Sequence, residues 1–102
     1  MVTPKGTGPL TTEHIHAVVH GRVQGVNFRA TTVHIANKMG ITGWVRNNSN
    51  GTVEIVAEGP RDQLELFLEY LHEGPPSAQV THIDVTWLES SGHRDSFVVR
   101  YP

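Results

Sequence analysis

Residues 14–20, HIHAVVH, place Ile15, Ala17 and Val19 on one side and His14, His16, Val18 and His20 on the other, the two-residue period of a strand. After a glycine-containing stretch, Phe28, Thr32, Ile35, Ala36 and Met39 recur at helical spacing up to Gly40, predicting a helix over 28–39. TGWVRN (42–47) and TVEIVAE (52–58) favour strands, and Asn48, Ser49, Asn50 and Gly51 between them carry the Asn-Gly pair of a tight hairpin. A second helix follows Gly59-Pro60, with Leu64, Phe67, Leu68 and Leu71 on one stripe and Gly74-Pro75-Pro76 as its stop. QVTHIDVTWL (79–88) alternates so that Ile83, Val85 and Trp87 share a face, and SFVVRY (96–101) supplies a last short strand.

The order is therefore βαββαβ with an added terminal strand. Right-handed crossovers in each βαβ half put both helices on one face of the sheet and the first strand in its interior. The predicted fold is α+β and ferredoxin-like, an antiparallel sheet with two helices on one face plus a short C-terminal strand. Residues 1–13 read as a flexible polar tail and residues 14–102 as one domain.

Composition narrows the partners. A formal charge of −2 with eight Lys and Arg gives no basic surface for phosphate neutralisation along a nucleic acid. TVEIVAE carries two glutamates and no aromatic where an RNA-recognition sheet would be aromatic and basic, so Trp44 and Trp87 are expected to pack rather than stack bases. No run of about 18 apolar residues suggests a membrane span, and residues 1–13 lack the apolar centre of a secretory signal. The absence of cysteine excludes a disulfide framework and a thiolate nucleophile. A cytoplasmic monomer is the expectation.

The chemistry concentrates in residues 20–29, HGRVQGVNFR, between the first strand and the first helix. A glycine turn leading into a helix N-terminus gathers unpaired backbone N–H groups and the positive end of the helix dipole at one spot, which attracts phosphate or carboxylate. Neither the Lys-Ser/Thr of a Walker A loop nor the Gly-x-Gly-x-x-Gly dinucleotide fingerprint is present. Arg29 sits in the first helical turn, where a cation opposes the dipole, and a bound dianion would satisfy both. Arg61 also begins a helix, so position alone does not separate an anion-binding arginine from an exposed one.

Gly21-Arg22-Val23-Gln24-Gly25-Val26-Asn27-Phe28-Arg29, followed by Gly43-Trp44-Val45-Arg46-Asn47 and Gly51-Thr52-Val53-Glu54, closely resembles the acylphosphatase family, whose pattern reads GRVQGVxFR, then GWVxN, then GTVE. The similarity runs from about residue 15 to Val99-Arg100-Tyr101. It implies a small ferredoxin-like hydrolase that cleaves the carboxyl-phosphate bond of acyl phosphates, releasing a carboxylate and inorganic phosphate. It further implies a phosphate-binding loop over Gly21, Arg22, Val23, Gln24, Gly25, Val26 and Asn27, a substrate-binding Arg29 and a water-orienting Asn47. Asn27 stands where the family often has glycine, which implies altered loop rigidity.

The residue set suffices for this chemistry on physical grounds. The leaving carboxylate has a conjugate acid of pKa about 4, so no general acid is needed, and phosphoryl transfer asks mainly for placement and charge stabilisation. No cofactor is expected. His14, His16 and His20 share a strand face that could reach His82, but residues two apart are about 6.8 Å apart along a strand, so the three of the first strand cannot share one ion and no metal is expected. The competing class is a non-catalytic anion- or partner-binding module on the same fold.

Overall fold

A computed structural model describes residues 12–89 and 96–101; residues 1–11 of the expected tail and Pro102 lie outside the described residues. Strand β1 (Thr12–Arg22) leads to helix α1 (Phe28–Met39), then β2 (Thr42–Asn47), β3 (Val53–Pro60), α2 (Arg61–Glu73), β4 (Gln79–Glu89) and β5 (Phe97–Val99). Strand β1 thus begins two residues before the expected domain boundary, because Thr12 and Glu13 find partners in Pro60 and Gly59 of β3.

The sheet order is β4-β1-β3-β2-β5. Neighbouring pairs among β1 to β4 are antiparallel, whereas β5 lies parallel to β2, so the added strand makes the sheet mixed. Ile15, Ala17 and Val19 of β1, Val53, Ile55 and Ala57 of β3, and Val45 of β2 are fully buried beneath the two helices, the period-2 pattern turned into one apolar face. Helix α1 contributes Phe28, Thr32 and Ala36 to this core, and α2 contributes Leu64, Phe67 and Leu71. Thr32 tolerates burial because its hydroxyl donates to the Phe28 carbonyl one turn back, 2.8 Å away.

Two local devices place the active end of the molecule. The first is the junction of β1 with β4, where register shifts between His20 and Gly21. A β-carbon at Gly21 would collide with the Gln79 carbonyl oxygen, so only glycine lets the strands approach while the chain turns away into the loop. The second is Asn37 of α1, whose amide accepts from the Phe97 N–H (3.1 Å) and donates to the Phe97 carbonyl (3.3 Å). Together with the edge-to-face contact of Phe67 and Phe97, centroids 6.0 Å apart, it fixes the short β5 against both helices.

The β2–β3 turn differs from the expected Asn-Gly geometry. Gly51 takes φ 92°, but Asn50 does not enter the left-handed region. Its side-chain oxygen instead accepts from the Thr52 N–H (3.1 Å) and hydroxyl (2.7 Å), closing an Asx-type turn. Both tryptophans pack, as their surroundings require: Trp44 is largely buried on the helix-free face with the guanidinium groups of Arg46 and Arg100 over its ring, and Trp87 is half-buried under Arg61.

Candidate active site

The loop between β1 and α1 carries the first part of the site. Gly25 has φ 76° and Asn27 φ 65°, and Asn27 is the one non-glycine residue with positive φ among the described residues. Asn is among the few L-residues that accept this conformation, which explains why the position suits Asn or Gly and little else. Asn27 occupies the cap position of α1 but makes no side-chain cap bond, and α1 has no acidic residue in its first turn. Nor do the amides of Gln24, Gly25, Val26 and Asn27 find an acceptor among the described residues. Unsatisfied donors at a helix N-terminus with no neighbouring carboxylate are the ingredients of an anion site.

Gln24 holds this loop in place. Its side-chain amide donates to the carbonyls of Asn48 (2.7 Å) and Thr52 (2.8 Å), joining the loop to the β2–β3 turn. The same turn begins immediately after Asn47, the last residue of β2, which pairs with Val53. One side chain thereby ties together the two segments that carry the expected catalytic residues.

These segments face one cavity of about 310 Å³. Val23, Gly25, Asn27, Arg29 and Asn47 line it, so the loop, the helix and β2 converge. Gly21, Arg22, Gln24 and Val26, the remaining loop residues expected at the phosphate, do not line it: Gly21 makes the strand junction and Gln24 the brace. Arg29 is the only lining residue that is charged at neutral pH, and no carboxylate pairs with it among the described residues. Its guanidinium lies 5.5 Å from the centre of the Tyr101 ring, an attraction that orients the group while leaving its N–H donors available.

Asn47 Oδ1 is buried and has no hydrogen-bond partner among the described residues. Such an orphan is uncommon, because an unpaired buried acceptor forfeits on the order of 1–3 kcal/mol of hydration, and Asn47 is also one of the residues that line the cavity.

Val99, the last residue of β5, and Tyr101, two residues on, complete the wall beside Arg29, and sequence reasoning did not place them there. The only signal was an aromatic residue at the end of an apolar strand; no periodicity says that this end returns to α1. The histidines of β1 lie elsewhere. His14 is 3.7 Å from Glu58, His16 is 2.7 Å from Glu54, and His20 is 2.9 Å from Asp84, and none of them lines the cavity.

The chain is similar to known proteins over most of its length. The family profile described as Acylphosphatase matches residues 15–99. A curated acylphosphatase from Salinibacter ruber is 46% identical over 90 residues, covering 88% of this chain and 95% of the relative. Another, from Trichormus variabilis, is 44% identical over 97 residues and covers 95% and 96% of the two chains. The crystal structure of an acylphosphatase from Bacillus subtilis superposes with a TM-score of 0.85 at 40% identity, covering 87% of this chain and 99% of that one.

Proposed function

The chain belongs to the acylphosphatase family, and on that premise we propose that it hydrolyses acyl phosphates to a carboxylate and inorganic phosphate in the cavity between the loop, α1 and β2. The observation that carries the assignment of roles is the buried Asn47 Oδ1 in the same cavity lining as Arg29, the first without a hydrogen-bond partner and the second without a carboxylate partner among the described residues. In this reading the phosphoryl oxygens are bound by the loop amides of Gln24 to Asn27, rather than by the whole stretch from Gly21, and by the Arg29 guanidinium, which stays protonated and can grip two oxygens at once.

Asn47 Oδ1 accepts a hydrogen bond from a water molecule and holds it opposite the leaving group. The water oxygen attacks phosphorus in line, and the bond from phosphorus to the acyl oxygen breaks with its electron pair departing on the carboxylate. An amide is too weak a base to take the water proton, and a non-bridging phosphate oxygen receives it. The carboxylate needs no proton to leave. Arg29 and the loop amides stabilise the negative charge on the equatorial oxygens, so turnover is expected without added metal or cofactor.

The deciding experiment is hydrolysis of benzoyl phosphate by the full chain in metal-free buffer, with inorganic phosphate as competitive inhibitor. Turnover inhibited by phosphate supports the enzyme. Phosphate binding without turnover, in a chain whose circular dichroism shows a folded domain, would favour the non-catalytic anion-binding module.

A further inference from the structure

On the helix-free face, at the end of the sheet where β1 meets β4, two imidazoles converge on one carboxylate. His20 and His82 are cross-strand partners, and Asp84 follows two residues after His82 on the same face of β4. His20 Nε2 lies 2.9 Å and His82 Nε2 3.7 Å from the same oxygen, Asp84 Oδ2, and the three donor atoms all lie within 4.8 Å of one another. The two rings stack with centroids 4.0 Å apart and planes at 11°.

We propose that His20, His82 and Asp84 form a binding site for a late first-row divalent cation such as zinc or nickel. The donor set of two neutral imidazoles and one carboxylate suits these ions and not magnesium, which prefers oxygen alone. The spacing suits them too. With metal-to-ligand bonds of about 2.0–2.1 Å in a tetrahedral shell, donor atoms sit roughly 3.3 Å apart. Two of the three pairwise distances, 2.9 and 3.7 Å, bracket that value, and the pair of imidazole nitrogens lies within 4.8 Å. The stacked rings must tilt for both lone pairs to meet one ion, and exposure of 31% for His20 and 57% for His82 leaves them room to do so. Solvent completes the shell.

The other histidines of β1 show what is particular here. His14 and His16 each stand near a different carboxylate, Glu58 and Glu54. The antiparallel register instead supplies a second imidazole from β4 to His20, a pairing that spacing along β1 alone does not reveal. No residue of the trio lines the candidate active site, so metal and phosphate are expected to bind together, and occupancy of this site is independent of the proposed reaction.

The test is equilibrium dialysis of the untagged full chain against zinc, nickel and magnesium. The expected result is one equivalent of zinc or nickel per chain and none of magnesium, with affinity reduced at least tenfold in His82→Ala and in Asp84→Asn and unchanged in the control His34→Ala. His82 and Asp84 are exposed, and circular dichroism with unchanged benzoyl phosphate turnover checks that both variants remain folded. Equal affinity in wild type and His82→Ala, less than one equivalent bound, or equal binding of magnesium would overturn the site.

Discussion

The N-termini of the two helices pose the same electrostatic problem and solve it in opposite ways. Each carries an arginine in its first turn, where the helix dipole disfavours a cation. In α2, Arg61 is enclosed by partners: Glu65 at 3.2 Å, Glu13 at 3.0 Å and the Trp87 ring at 4.1 Å, with Asp62 adding a negative charge to the same turn. In α1, Arg29 has no acidic neighbour among the described residues, only the Tyr101 ring at 5.5 Å, and the amides beside it are likewise unsatisfied. The contrast is what the proposed function uses: Arg61 is neutralised by the protein, whereas the charge of Arg29 is proposed to be met by a ligand that brings the negative charge itself.

Exchanging each arginine for alanine should break the symmetry most visibly. Arg29→Ala is expected to lower kcat/KM for benzoyl phosphate by more than 1,000-fold, because one preorganised donor is worth roughly 100- to 1,000-fold and this group also binds the substrate. Phosphate inhibition should vanish while circular dichroism stays native. Arg29→Lys should remain severely impaired, since an ammonium lacks the planar two-point grip. Wild-type turnover in either variant would remove Arg29 from the mechanism.

Next in size is Asn47→Ala, expected to cost about 100- to 1,000-fold in kcat with inhibition by phosphate retained within a few-fold. That split between rate and binding is the signature of a residue that positions water; parallel losses in both would assign Asn47 to phosphate binding instead. Arg61→Ala should leave turnover unchanged and reduce stability by less than about 1 kcal/mol in chemical denaturation, because its ion pairs are partly exposed. A loss of activity in Arg61→Ala with the fold intact would undo the contrast between the helices.

The smallest effect concerns Glu54, on the helix-free face. The hydrogen bond from His16 and the pairing with Arg46 hold its carboxyl below the ordinary value of 4.5, against the opposing effect of burial. A carboxyl depressed in the folded state adds stability above its unfolded pKa and loses it as pH falls through the folded value. Denaturation midpoints should therefore decline below about pH 4.5, and more shallowly in Glu54→Gln. Identical acid limbs in the two proteins would show that another group governs that range.

Much of this was legible along the chain. Helix α1 and strand β2 lie where their periodicity and breakers put them, and Arg29 was conspicuous because it broke a local rule. The β2–β3 turn was less so: the Asn-Gly pair suggested positive φ at Asn50, whereas the Asn50 side chain supplies the turn through hydrogen bonds to Thr52. Tyr101 was silent as a wall of the cavity, since its place beside Arg29 depends on β5 running parallel to β2 and on Asn37 pinning Phe97. The sequence let the β1 histidines reach His82, but that His20 alone meets it and that Asp84 joins them is a property of register between β1 and β4.

The amino-acid sequence by itself determined the strand and helix periods, the glycine positions that permit the loop, and the residue types able to hold a phosphate, because each is a matter of local sterics and spacing. Only the tertiary structure decided that, among the described residues, Arg29 has no carboxylate partner while Arg61 does, that Gln24 binds the loop to the β2–β3 turn, and that Asn47 Oδ1 is buried without a hydrogen-bond partner among those residues. Those facts depend on which distant segments meet and in what register, and strand pairing and core packing settle that for the chain as a whole.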